Sequence, residues 1–315
     1  MRFKWLQHAK FAFCLLFFSV QYWGVCNAQI VADETLPTPS NVQQSQDNTQ
    51  LIEIEGGTRA GNNLFHSFSK FSVPSDTTAF FKNSADVQNI LTRVTGNTRS
   101  DINGIIKANE SANLFLINPN GIIFGPNARL DIGGSFIGST ANAIGFGSLG
   151  NFSATNPEAP SPLLTINPSA LLFSQIAAAP IQNNSTALLA QSDPAGFTVK
   201  GLRVPDGKSL LLVGGNISME GGQLNAYGGR VELGGLAASG FVGLNVDGDN
   251  LSLNFPASST RADISLTNGA AVYVEAANGG DIAVNARDLE VTSGSVLSAG
   301  IGKGLGFVDI ANSCY

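Results

Sequence analysis

The segment GGNISMEGGQLNAYGGRVELGG, residues Gly214 to Gly235, decides the fold. Its glycine pairs begin at Gly214, Gly221, Gly228 and Gly234, spaced by 7, 7 and 6 residues. Each interval holds a short alternating strand: Asn216 to Glu220, Gln223 to Tyr227, and Arg230 to Leu233. Alternation sends successive side chains to opposite faces, and glycine supplies the positive φ that a sharp corner needs. Three strands and three corners close one coil of 20 residues. Such coils stack at ~4.8 Å, each strand hydrogen-bonding to its counterparts above and below, so inward apolar side chains form ladders along the axis.

Composition agrees. The 315 residues are 43% hydrophobic and 13% charged, against about 25% charged in an ordinary soluble domain. Ladders sealed on the inside need little charge, and 36 glycines and 13 prolines supply the turns. No stretch sustains a helical apolar period. Asn103-Gly104-Ile105-Ile106 recurs as Asn120-Gly121-Ile122-Ile123, 17 residues on, and Asp263-Ile264 recurs as Asp281-Ile282, 18 on. Self-similarity near 20 residues marks a solenoid. The 287 residues after Ala28 predict roughly 14 coils and a rod of roughly 60 Å. A β-sandwich also has short strands and frequent turns, but the repeated NGII and the three-sided glycine pattern favour the solenoid. Asp33 to Gln50, polar with two prolines, reads on its own as a linker. Asn156 to Pro162 (NPEAPSP) reads as an excursion or boundary. Leu289 to Gly300 starts another coil with no closing cap legible after it, which predicts a truncated chain.

The start of the chain differs from the rest. Arg2, Lys4 and Lys10 precede the apolar run Phe11 to Val20, and Cys26-Asn27-Ala28 ends in small residues before Gln29. This is the pattern of a secretory signal peptide over residues 1–28, cleaved between Ala28 and Gln29. A membrane anchor is the alternative, but Phe11 to Val25 is short of the ~20 residues a spanning helix needs. Cleavage removes three of 17 basic residues and none of 23 acidic ones, moving the net charge from −6 to −9. That balance argues against a nucleic-acid partner. Cys14 and Cys26 leave with the signal, so Cys314 has no intramolecular partner and packing must hold the fold without disulfides.

Chemistry is sparse. His66, between Phe65 and Phe68, lacks the partners of a triad or metal site and reads as a packing residue. Gly300-Ile301-Gly302-Lys303-Gly304-Leu305-Gly306 lacks the phosphate-loop spacing and a following helix. The glycine corners carry Asn216, Gln223 and Arg230 where calcium-binding repeats need aspartate. A β-helical polysaccharide lyase or glycosidase is the competing reading and would need clustered carboxylates. The nearest pair, Asp247 and Asp249, reads as turn polarity. No catalytic residue, cofactor or metal ligand is assigned. A purely structural surface protein is a third reading.

LINPNGIIFG, Leu116 to Gly125, joins two apolar runs through a polar corner. Asn118-Pro119-Asn120-Gly121 suits a type I turn, with Pro fixing φ at its second position. With GNNLFHSFSKFSV (Gly61 to Val73), ILTRVTG (Ile90 to Gly96), the block from Ile102 to Asn142 and GGRVELGGLA (Gly228 to Ala237), the sequence resembles the haemagglutination-activity, or two-partner secretion, domain of filamentous-haemagglutinin-like exoproteins, closest to the cyanobacterial branch. The resemblance implies a right-handed parallel β-helix with an N-terminal cap that begins within Asp33 to Gln50. It implies the secretion domain over residues 29–150 and a continuing β-helical region over 151–315. It places the family's NPNGI secretion motif on Asn118, Pro119, Asn120, Gly121 and Ile122. The second family motif, NPNL, falls near Val87 to Ile90, where only Asn89 and Ile90 match. The implied route runs through the Sec machinery and the periplasm to an outer-membrane β-barrel transporter, then to the cell surface or medium. There the family's members adhere to a host or cell-surface receptor as adhesins or haemagglutinins, without an energy cofactor.

Overall fold

The computed structural model describes residues 29–305 apart from 110, 175, 176, 249, 303 and 304. Residues 1–28, read above as a leader, and Cys314 lie outside the described residues. Gly214 to Gly235 forms the three strands its pattern predicts, Ile217–Glu220, Gln223–Asn225 and Arg230–Gly235, each in a different sheet. The paired glycines differ in role. Gly221 and Gly228 turn the chain with φ of 68° and 65°. A Cβ on their followers Gly222 and Gly229 would lie 2.1 Å from the Asn183 carbonyl and 2.0 Å from the Lys208 carbonyl. The first glycine makes the corner, and the second lets the neighbouring coil approach.

The chain is a parallel β-helix with three faces. On the first, Asn63–Phe71, Asn89–Val94, Asn113–Ile117, Phe136–Ser139, Ser209–Gly214, Arg230–Gly235 and Asp281–Asn285 pair in parallel order. The second face stacks Ser100–Ile102, Ile122–Phe124, Ile181–Asn183, Ile217–Glu220, Ile264–Thr267 and Leu289–Val291. The third runs from Leu51–Gly56 through Thr78–Phe81 and Ile105–Ala108 to Arg129–Asp131, and resumes as Leu202–Arg203, Gln223–Asn225, Ala271–Tyr273 and Val296–Ser298. Crossovers between parallel strands of one sheet take the right hand almost without exception. Inside, Leu64, Ile90, Leu114, Phe136, Leu210 and Val231 stand in register as one ladder of the core.

The period departs from the sequence expectation. Coils run 26 residues from Asn63 to Asn89, 24 on to Asn113, 22 from Leu114 to Phe136, and 21 from Leu210 to Val231. The two NGII copies are not counterparts: Ile105 lies on the third face and Ile122 on the second. Asp263-Ile264 and Asp281-Ile282 likewise lead into the second and first faces. Identical tetrapeptides marked neighbouring corners rather than stacked coils. Among the described residues seven parallel strands, not 14, line the first face, a stack of roughly 30 Å.

Two insertions account for the missing coils. Phe136 pairs with Leu210 and Val231 with Ile282, so 74 and 51 residues separate neighbouring strands. Most of both insertions leaves the corner between the first and second faces. Together they form an antiparallel sheet of Ala143–Gly145, Asn151–Ser153, Ala170–Phe173, Gly240–Asp247 and Asn250–Asn254. The Pro-containing Asn156 to Pro162 lies within the first insertion. A second core forms between this sheet and the outer side of the first face: Phe65, Leu91, Phe115, Ile137 and Leu211 pack with Phe146, Phe152, Leu171 and Val242. Phe65 meets Phe152 edge-on at 4.9 Å. Gly150 falls between the paired strands Ala143–Gly145 and Asn151–Ser153, so this core joins residues on both sides of it.

At the N-terminal end, Ile30–Ala32 pairs antiparallel with Asn63–Phe71, and Ser40–Gln44 pairs antiparallel with Leu51–Gly56. These two strands cover the first coil's open edges. The polar segment Asp33 to Gln50 thus carries a cap strand, as the family resemblance implied and its composition did not.

Candidate functional site

The corner Asn118 to Gly121 leaves the first face after Asn113–Ile117 and enters the second at Ile122–Phe124. Apolar runs on both sides hold it: Ile117, Ile122 and Phe124 are fully buried. Gly121 N–H donates to the Asn118 carbonyl at 3.1 Å, closing the turn. Gly121 sits at φ 114°, and its carbonyl accepts from Ser100 N–H at 3.0 Å.

Asn118 is fully buried with its amide satisfied. Its Nδ2 donates to the Thr98 carbonyl and to Ser100 Oγ, both at 3.0 Å, one coil back. Its Oδ1 accepts from the Asn120 backbone N–H at 3.0 Å and from Asn120 Nδ2 at 3.1 Å. Asn118 N–H donates to the Ser139 carbonyl at 2.9 Å, one coil forward. Pro119 is buried, whereas Asn120 is exposed and donates through Nδ2 to the Gly96 carbonyl at 2.7 Å. Asn118, Asn120 and Gly121 therefore form a hydrogen-bonded rivet through three coils, with Asn120 at its solvent end.

Asparagines outside the NPNGI motif make a second lock on the same face. Asn63, Asn89 and Asn113 open successive strands and are buried. Asn113 Nδ2 donates to Asn89 Oδ1 at 3.1 Å, and Asn89 Nδ2 donates to Asn63 Oδ1 at 2.9 Å and to Asn167 Oδ1 at 3.1 Å. Asn63 Nδ2 ends the ladder on the carbonyls of Leu164 and Ile166, at 2.8 and 2.7 Å. Asn89, the surviving polar residue of the expected NPNL position, is the ladder's middle rung.

Arg93 is the largest fully buried side chain among the described residues. Its guanidinium donates to Ser67 Oγ, Thr35 Oγ1 and the carbonyls of Ser153 and Glu158, and stacks 4.2 Å from the Phe152 ring centroid. It thereby ties the cap to the first insertion. Burial lowers its pKa to about 10, a drop that the nearby Asp33 charge limits. Burial pushes the Asp33 carboxyl up, but hydrogen bonds from Thr35, Thr95 and Ser67 outweigh it and hold the group below 3.8. A single arginine inside the apolar run Asn89-Ile-Leu-Thr-Arg-Val94 was the available sequence signal.

His66 is buried against Phe68 and Phe81, with ring centroids at 6.2 and 5.3 Å. Its Nδ1 meets Ser40 Oγ of the cap at 3.0 Å. Burial lowers its pKa to about 3, so it is a neutral packing group. Asp247 closes a strand at the hairpin turn of Gly248. Among the described residues, no group of three or more His, Cys, Asp or Glu could hold a metal ion.

Cap, three-sided coil and riveted asparagine corner define a capped parallel β-helical domain. The chain belongs to the TPS secretion domain family, whose model matches residues 28–284. Among solved structures it is similar to the HMW1 secretion domain from Haemophilus influenzae, with TM-score 0.57 and 19% identity over 86% of this chain and 66% of that one. A filamentous hemagglutinin secretion domain also matches, with TM-score 0.40 and 13% identity over 86% of this chain and all of the other. The first likeness bears on the fold, and this chain spans just under two thirds of that structure. A comparison with curated proteins finds no match.

Proposed function

We propose that this domain is the export-directing part of a two-partner secretion exoprotein. A leader over residues 1–28 is removed between Ala28 and Gln29 after Sec-dependent passage into the periplasm. An outer-membrane β-barrel transporter then recognises the domain and passes the chain to the cell surface or medium, where an adhesive role toward a host or cell-surface receptor follows. The observation that carries the reading is the Asn118 to Ile122 corner: a motif whose buried members rivet three coils while one member, Asn120, reaches solvent. The unit that acts includes residues beyond 150, because Asn63 of the first coil is bonded to Leu164 and Ile166 and the second core spans the same point.

The test is a secretion assay of Asn120→Ala, with and without a co-expressed transporter, beside circular dichroism and thermal melting of the purified chain. Asn120 is exposed, and its removal frees only the Gly96 carbonyl to water and one acceptor contact on Asn118. The variant is expected to melt within about 1 kcal/mol of wild type and to lose at least tenfold in transporter-dependent export. Normal export by a normally folded variant would remove Asn120 from recognition.

A further inference from the structure

Away from the secretion motif, a polar groove of about 280 Å³ lies along the corner that leads into the third face. It is lined by Asn48, Gln50, Asp76, Thr78, Asn127 and Arg129, with Gly104 and Ile105 as floor. Register builds it: Leu51, Thr78, Ile105 and Arg129 are successive partners in one outward row. Hydrogen bonds between adjacent coils lock that row, Thr78 N–H to the Gln50 carbonyl at 2.8 Å, Ile105 N–H to Thr77 at 2.9 Å and Arg129 N–H to Gly104 at 3.0 Å. The groove therefore has a fixed shape, with polar groups repeating at the coil spacing.

Arg129 is the group within it that the fold does not use. Its Nε is enclosed and has no hydrogen-bond partner among the described residues. The contrast with the outward groups beside it is sharp. Lys107 pairs with Asp131, and Lys82 pairs with Glu53 and Glu55 at 2.8 and 3.1 Å. Among the described residues no hydrogen bond or ion pair holds this half-buried guanidinium, which leaves its terminal groups to a ligand in the groove. Its two terminal Nη groups offer parallel donors that match a carboxylate. Around it, Asn48, Gln50, Asn127, Thr78 and Asp76 offer the mixed donors and acceptors that hydroxyl groups require. Three steps at ~4.8 Å make the row about 14 Å long, the span of three sugar rings.

We infer that this groove binds a carboxylate-bearing oligosaccharide, a short uronate chain, with Arg129 on one carboxylate and the amides and Asp76 on hydroxyls. Binding involves no bond cleavage. The chain's excess of acidic residues works against a polyanion at long range, so recognition rests on this short-range fork, and affinity is modest. The site is independent of the secretion motif, which lies on the corner between the other two faces.

Calorimetric titration of the purified chain with trigalacturonate tests it, beside galactotriose and acetate as separate probes. The expected result is saturable trigalacturonate binding with submillimolar Kd, at least tenfold weaker binding of both controls, and at least tenfold loss in Arg129→Gln. Arg129→Lys, which keeps the charge without the fork, should also lose most of the affinity while melting like wild type. If either variant fails to fold, Asn127→Ala, exposed and outside the inner ladders, replaces it and should weaken binding severalfold. Absence of saturable binding to wild type, equal binding of galactotriose, or undiminished binding in folded Arg129 variants would overturn the inference. None of these outcomes bears on export, which is measured separately.

Discussion

Asn89 shows how one side chain sets register in a stack. Its amide makes contacts with Asn63, Asn113 and Asn167, and all but the exposed Asn167 lose water on folding. Asn89→Ala strands the Asn113 donor and the Asn63 acceptor in a buried site, while the exposed Asn167 returns to water. At about 1–3 kcal/mol for an unsatisfied buried group, with relaxation at the rim near Asn167, a loss of roughly 2–4 kcal/mol is expected in urea denaturation. A loss below 1 kcal/mol would show the ladder to be dispensable. The ladder was legible: Asn63-Leu-Phe65, Asn89-Ile-Leu91 and Asn113-Leu-Phe115 repeat at the true coil spacings of 26 and 24 residues. The NGII repeat is identical letter for letter, yet its copies are not counterparts. Identity there marks two corners of different geometry, Gly121 at positive φ and Gly104 not, whereas the asparagines report contact between counterparts.

Strands of the first face explain what composition could and could not show. Asn113–Ile117 (NLFLI) and Ser209–Gly214 (SLLLVG) are buried at every position. A solenoid strand with one wet side alternates, whereas a continuous apolar run signals burial on both sides. That signal, present in the sequence, announced the second core. What lay beyond reach was which segments supply the cover, since hairpins inserted at a corner have the same alternation as coil strands. Phe152 tests the cover: it is fully buried, packs on Phe65 and carries the Arg93 guanidinium on its face. Phe152→Ala should destabilise by about 3–5 kcal/mol, seen as a lowered urea midpoint. Phe197, on the exposed Leu188–Lys200 hairpin and 68% accessible, is the control. Phe197→Ser should change stability by no more than about 0.5 kcal/mol. Equal effects at the two positions would mean that the outer sheet does not stabilise the helix.

For the molecule as a whole, the cap makes stability depend on pH in a defined direction. His66 contacts the cap strand through Ser40 and has a folded pKa of about 3 against the ordinary 6.5. Between those values the unfolded chain binds the proton and the folded chain does not. The stability this group contributes is thus complete above pH 6.5 and falls as pH is lowered toward 3, by up to about 1.4 kcal/mol per pH unit. Asp33, held below 3.8 by its hydrogen bonds, contributes stability above that value and loses it only as pH falls through the folded pKa. The two groups therefore separate in pH, with His66 acting first. His66 is the one histidine after residue 28, so between pH 6.5 and 5 no other side-chain type titrates from its ordinary pKa. Urea midpoints of the chain from Gln29 onward should fall steadily from pH 6.5 to 5. In His66→Phe, which keeps an aromatic ring against Phe68 and Phe81 and leaves Ser40 Oγ near the cap, the midpoint should be nearly flat over that interval. It should fall only at lower pH, as Asp33 is protonated through its lowered pKa. Identical slopes for the two proteins would show that the histidine reaches solvent and takes up its proton without opening the cap.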